Sequence, residues 1–281
     1  MNRRSTITVG TTAVAVAGIM GVAYGATQWS TVLRAQPAPS PGAFAAPAHG
    51  PVRAPIPEGA VGPNFGTGPA PIVPPFPRFG SASDDEPDAA TTIRPADVQD
   101  ALAGLPMAGA LSAADRDGLV WMREEEKLAS DVNAALARRW GNGPFANVAA
   151  AELTHTEAVR LLIDRYGVAD PAPGAFVGIY GNASFSRLYQ ELVTTGSASY
   201  VDGLKVGARI EERDIQDLKA RASALPDIAM VYGNLERGSR NHLRAFVRQL
   251  ERQGVQYAPT ELSRFEFEAI VGGDVETVSL R

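Results

Sequence analysis

Phe145-Ala146-Asn147-Val148-Ala149-Ala150-Ala151-Glu152-Leu153-Thr154-His155-Thr156-Glu157-Ala158-Val159-Arg160-Leu161-Leu162-Ile163-Asp164-Arg165-Tyr166 is the stretch on which the fold turns. Phe145, Val148, Glu152, His155, Val159, Leu162 and Tyr166 follow one another at spacings of 3, 4, 3, 4, 3 and 4, the repeat of a single helix face turned toward a core. A carboxylate and an imidazole stand in that otherwise apolar file. Gly143-Pro144 precedes the run and Gly167 closes it, so both ends carry helix boundary signals.

Working outward, the same period recurs. Ser112, with Asp115 three residues on, caps a helix that runs to Trp140 and stops at Gly141-Asn142-Gly143-Pro144. Its inward file is Leu119, Met122, Glu126, Ala129, Asn133 and Leu136, with Glu125 on the flank of the same face and Glu124 expected in water. After Asp170-Pro171-Ala172-Pro173-Gly174 and a looser region, a short helix is expected around Ser184 to Thr194. A further helix spans Ser199 to Ala224, with Leu204, Ala208, Glu211, Ile215 and Leu218 inward, Asp214 one turn beside Glu211, and Glu212 pointing elsewhere. Pro226-Asp227 opens the last long helix, to Gln253, whose file is Val231, Leu235, Ser239, His242 and Phe246, with Glu236 on its edge. No stretch alternates at period 2 for long enough to argue a sheet. The expectation is all-α: a four-helix bundle with a long crossover between helices 2 and 3, plus a short extra helix.

Four helices that each present a polar group to one core face a cost of several kcal/mol per uncompensated charge, on the order known for buried ions. A metal ion compensates. Glu126, Glu152, His155, Glu211 and His242 are hard oxygen and imidazole donors, which suit iron, manganese or zinc held between helices. Glu125, Asp214 and Glu236 are further candidates. Taken singly, each of these residues also reads as a hydrogen-bonded core group or an exposed ion pair.

Composition narrows the classes. The chain has 281 residues and a formal net charge of -5, with basic residues interleaved among acids in its C-terminal half, so nucleic acid is not an expected partner. The absence of cysteine excludes disulfides, cysteine-ligated zinc, iron–sulfur clusters and thiol catalysis. Arg3 and Arg4 precede 29 uncharged residues, Ser5 to Leu33, holding the apolar run Ile7 to Ala26. Residues 1–35 therefore read as a targeting segment, either a signal cleaved near Ala23-Tyr24-Gly25 or an uncleaved membrane anchor. In both readings the remainder lies outside the cytoplasmic membrane. Residues 36–96 form a Pro/Ala/Gly-rich linker, since 15 of the 21 prolines fall between Gln36 and Pro95, and such a segment is expected to be disordered. The helical domain is expected over residues 97–281, with its core at about 111–270.

Met122-Arg123-Glu124-Glu125-Glu126-Lys127-Leu128-Ala129, Gly207-Ala208-Arg209-Ile210-Glu211-Glu212-Arg213-Asp214-Ile215 and Gly238-Ser239-Arg240-Asn241-His242-Leu243-Arg244-Ala245-Phe246 resemble motifs of the ferritin-like superfamily, and more closely those of the prokaryotic family known as domain of unknown function 2202. The resemblance covers roughly Leu111 to Ile270. It implies a ferritin-like bundle and a candidate site holding iron, as a di-iron or mono-iron centre, or manganese. On it, Glu126 matches the ligand of the first helix, Glu152 and His155 the Glu-x-x-His of the second, and Glu211 with Asp214 a Glu-x-x-Glu-like pair of the third. Ser239 departs from the pattern, standing three residues before His242 where a second bridging carboxylate belongs, unless Glu236 reaches in. Asn133 stands where ferritins carry a tyrosine. The implied activities are oxidase or peroxidase chemistry or metal handling, with the reductant supplied from outside, because no cysteines exist to hold a rubredoxin iron. The contrasting reading is a metal-free interaction or scaffold module displayed on the cell envelope. Whether the chain is an enzyme, and which protein it meets, the sequence leaves open, a homo-oligomer included.

Overall fold

A computed structural model of the chain describes residues 92–280 apart from 108, 142, 174 and 175. The targeting segment and nearly all of the Pro-rich stretch read from the sequence lie outside these residues. Among the described residues all regular structure is helical: α1 (Pro95–Gly104), α2 (Ala113–Trp140), α3 (Pro144–Tyr166), α4 (Ala183–Gly196), α5 (Tyr200–Ala220), α6 (Pro226–Arg252) and α7 (Arg264–Val271). None of these helices is long and apolar enough to cross a membrane.

The helix boundaries follow from local chemistry. Ser112, Ser199 and Ser263 each accept a hydrogen bond from the backbone N–H three residues on, at Asp115, Asp202 and Glu266, and Asn182 accepts from Ser184. Proline opens α1, α3 and α6, where a missing N–H leaves no bond unmade. Gly141 and Gly143 take φ of 85° and 128°, so the tight reversal between α2 and α3 needs both glycines. The expected Ser199 to Ala224 helix ends four residues early, at Ala220. Two helices were not expected. At the start, α1 draws Pro95 and the fully buried Ile93 and Val98 into the helical unit, which reaches back past residue 97. At the other end, α7 lies against α6.

The four long helices touch in a ring: α2 against α3, α3 against α6, α6 against α5 and α5 against α2. The connection from α3 to α5 carries α4, which packs on both α2 and α5. Every position of the four inward files is buried except the half-buried Tyr166. At one end Phe145 packs on Phe246 with ring centres 5.7 Å apart. A Cβ on Gly207 would come within 2.4 Å of the Phe246 ring, so glycine there lets α5 and α6 approach.

Charged residues on the far side of α2 and α5 are buried too, by loops. The expectation that Glu124 faces water is corrected: it is 3% exposed and accepts the N–H of Asn182. Around it, Arg123 binds Asp170, Lys127 donates to the Phe176 carbonyl, and Asp131 accepts from Gly178 N and the Tyr180 hydroxyl. The α3–α4 connection is thereby strapped across α2. Glu212 does point away from the core centre, yet it is buried under residues 257–262. Its carboxylate accepts from the Tyr257 hydroxyl and from the N–H groups of Thr260, Glu261 and Leu262.

Candidate metal centre

Each of the four long helices delivers part of one buried cluster. Glu126 comes from α2, Glu152 and His155 from α3, Glu211 from α5 and His242 from α6. The first four are at most 1% exposed and His242 is 8% exposed, so any opening to solvent lies on the His242 side. The ligand-type atoms form two groups that share a residue: Glu126, Glu152 and His155, and Glu152, Glu211 and His242. Within each group one donor atom per residue lies within 4.8 Å of the others.

Geometry shows how the atoms converge. His155 Nδ1 is 2.8 Å from Glu152 Oε2 and 3.3 Å from Glu126 Oε2. His242 Nδ1 is 2.6 Å from Glu152 Oε1 and 3.3 Å from Glu211 Oε2. The two imidazoles stack with centres 5.5 Å apart, and Glu152 gives one oxygen to each. Yet the approaches to Glu152 lack hydrogen-bond alignment: both Glu152 oxygens, both Glu211 oxygens, Glu126 Oε1 and His242 Nδ1 have no hydrogen-bond partner. Buried polar atoms are almost always satisfied, and an unpaired buried carboxylate oxygen costs about 1–3 kcal/mol or more. Lone pairs that point at one another's neighbourhood without bonding are what a cation between them would satisfy. Oxygen and imidazole donors in this number fit iron, manganese or zinc.

Electrostatics express the same strain. Burial pushes the carboxyls of Glu126 and Glu211 up to about 8 and about 7, with the Glu152 charge adding to the rise in both. Burial also opposes the charge on Glu152, but His155 and His242 outweigh it and hold that carboxyl well below its ordinary range. The imidazoles respond in kind. Burial works against their protonation, while Glu152 with Glu126 raises His155 well above its usual value and Glu152 with Glu211 raises His242 to about 9. Glu152 and the two imidazoles thus each favour the other's charged form.

The three further candidates fall out of both groups. Glu125 is buried and accepts from Trp121 Nε1 at 2.7 Å on the flank of the face. Asp214 is buried beside the centre, raised well above its usual value by burial and by Glu126, Glu125 and Glu152. One of its oxygens takes the Ser239 hydroxyl and the other has no partner. Glu236 does not reach in. It is half-buried on the outer side, paired with Arg240 and Lys219, so it does not replace the acid absent at Ser239. Sequence reading missed Gly238: a Cβ there would sit 2.6 Å from Cε1 and Nε2 of His155. The signal was present, since Gly238 lies four residues before His242 and so one turn along the same side of α6.

Among the described residues, long helices that converge on two overlapping carboxylate–imidazole groups define one class of protein, and comparison with known sequences places the chain further. The chain belongs to the family described as uncharacterized protein domain DUF2202, whose model matches residues 115–274. It is 44% identical over 168 residues to the uncharacterized protein MJ0754 of Methanocaldococcus jannaschii, an alignment covering 59% of this chain and 91% of that protein. The crystal structure of hypothetical protein MJ0754 from Methanococcus jannaschii DSM 2661 matches with a TM-score of 0.60 at 44% identity, covering 61% of this chain and 99% of that one.

Proposed function

We propose that this chain is a ferritin-like metalloprotein that holds one or two divalent ions, iron or manganese, at the centre of a four-helix bundle. Glu126 and His155 would hold one position, Glu211 and His242 the other, and Glu152 would bridge them. The observation that carries the reading is the set of buried, unpartnered donor atoms shared out among four helices. Bound there, such ions supply reversible electron storage, and carboxylate donors favour the oxidised state and tolerate changes in coordination. Oxidase or peroxidase chemistry and metal storage are the two uses consistent with that supply. This chain's own residues exclude bulk water, set the donor geometry and give up protons: His155, His242, Glu126 and Glu211 all favour the protonated form without metal, so binding releases protons and tightens as pH rises.

The proposal extends to location. The apolar run Ile7 to Ala26 behind Arg3 and Arg4 supports export, with the domain held outside the cytoplasmic membrane by an anchor or released after cleavage. Full-length protein produced with iron or manganese and freed of loosely held ions tests the metal reading by elemental analysis. One to two ions per chain are expected. Less than a tenth of an ion per chain, with no change on replacing His155, returns the chain to the class of scaffold modules. Sequencing the N-terminus of the exported protein separates anchor from cleaved signal.

A further inference from the structure

Two oxidisable rings, with a third ring in contact with both, form a line from beside the centre to the outer side of α2. Trp121, on α2, stands five residues before Glu126, about 7.5 Å along the helix axis. Its indole Nε1 donates at 2.7 Å to Glu125, the neighbour of Glu126 in the chain. The Phe185 ring of α4 lies 4.9 Å from the indole, centre to centre, and the Tyr180 ring lies 5.9 Å from Phe185 in turn, both within the range of direct ring contact. Trp121 and Phe185 are buried. Tyr180 belongs to the α3–α4 connection and is 7% exposed, and its neighbour Ile179 is 63% exposed, so the line ends at the protein surface.

The surroundings of the two oxidisable rings differ in a way that sets a direction. Tyr180 donates its hydroxyl to Asp131 Oδ2 at 2.8 Å, so a proton lost from that ring has an acceptor already in place. The Arg221 guanidinium stands 4.5 Å from the Trp121 ring centre and opposes positive charge on the indole. Lys127 stands 4.4 Å from the Tyr180 ring centre, but a phenoxyl radical that has shed its proton is neutral and escapes that repulsion. An electron vacancy therefore runs downhill from Trp121 to Tyr180. Tyr232 is also buried, yet its hydroxyl has no hydrogen-bond partner to take a proton, so it offers no such trap.

We propose that Trp121, Phe185 and Tyr180 form an electron-transfer route that carries oxidising equivalents from the buried centre to the protein surface. Those equivalents arise where a peroxide meets the proposed metal site, so the route rests on that reading. Hydrogen peroxide takes up two electrons, with two protons from solvent, and leaves as water. The route supplies the electrons one at a time. Trp121 gives one electron toward the centre and keeps its N–H in the bond to Glu125. An electron from Tyr180 then passes across the Phe185 ring and refills the indole, while the Tyr180 hydroxyl proton moves to Asp131. Phe185 and Trp121 end unchanged, and Tyr180 has lost one electron and one proton. A one-electron reductant from outside, a thiol or an enediol, returns the electron at the surface, and Asp131 returns the proton.

Two measurements test the route, the first without metal. In the full-length chain with Trp29→Phe and Trp140→Phe, Trp121 is the single tryptophan. A laser flash that photo-ionises it should give the absorbance of an indole radical, which decays as that of a phenoxyl radical grows. Tyr180→Phe keeps the ring and should remove the phenoxyl signal, and Phe185→Leu should slow its growth severalfold. Phenoxyl growth unaltered by Tyr180→Phe overturns the route, and so does an indole radical that decays with no phenoxyl formed. If Phe185→Leu loses its helical circular dichroism, Tyr180→Phe decides alone. In the iron-loaded full-length chain treated with hydrogen peroxide, a nitroso spin trap should be found on Tyr180 by peptide mass spectrometry, and in Tyr180→Phe the oxidation should move to Trp121. Oxidation spread over other residues with Tyr180 untouched overturns the outward role. A chain that takes up no iron counts against the metal reading alone, and the flash measurement still decides whether these rings pass an electron or only pack.

Discussion

Glu211 and Glu212 are neighbours in the chain, both wholly buried, and they illustrate two different uses of a carboxylate. Glu212 lies under the 257–262 segment and receives three backbone N–H groups and a tyrosine hydroxyl. Glu211, one residue earlier and so about 100° around the helix, faces the centre with neither oxygen hydrogen-bonded. The same contrast separates Glu124, tied to Asn182, from Glu126. Burial is common to all four. What differs is whether the lone pairs already have donors, and that difference marks which acids build structure and which are left available for a cation.

The largest effect on stability should come from the satisfied acid. Glu212→Ala strands three backbone donors and should cost about 4 kcal/mol, lowering the melting temperature by roughly 10 °C, while metal per folded chain stays unchanged. A drop in metal content at normal stability would erase the distinction between Glu212 and Glu211. Metal should come next: at 100 times Kd a ligand held only by the native state adds about 2.7 kcal/mol, or roughly 8 °C. His155→Ala should abolish that shift, His242→Ala should leave part of it, and Glu124→Gln should leave all of it on top of a lower starting point. Calorimetry with and without metal reads each case.

Gly238→Ala probes the fit between the two regions, because the added Cβ collides with the His155 ring. It should cost about 2 kcal/mol as an overpacked core does and weaken metal uptake at once. Normal metal content in this variant would show that His155 has room to move without consequence.

The metal-free protein should respond to pH in a direction set by the centre. Glu126, Glu211 and His242 have folded-state values raised to about 8, about 7 and about 9. A raised group stabilises fully below its unfolded value and loses that contribution as pH climbs through its folded value. Melting temperature should therefore begin to fall above about pH 4.5, the ordinary value of a glutamate, and go on falling to about pH 9. Glu152, held low, works the other way and only in acid. Glu211→Gln should flatten the slope; a slope unaltered by it would move the titrating groups away from the centre. Smallest of all, Glu236→Gln should change stability by less than about 1 kcal/mol, as expected of a partly exposed ion pair, and metal content not at all.

Much of this was legible in the sequence. Helix caps at Ser112 and Ser199, prolines at helix starts and the 3–4 spacing of apolar residues are local signals, and they identify the four inward files with the acids and imidazoles in them. Periodicity reports which residues share a face because 3.6 residues per turn is a property of one helix alone. It does not report what covers the opposite face. Glu124 reads as water-facing, and Glu212 only as pointing elsewhere, because the loops that bury them are distant in sequence and carry no period. Nor does a single helix reveal the rotation and height of its neighbours. That Glu152 stands between both histidines, that Gly238 makes way for the His155 ring, and that Glu236 turns outward to Arg240 are decided only where the helices meet. Close packing among four helices fixes those relations within fractions of an ångström, and it is a property of all the contacts together rather than of any one stretch of chain.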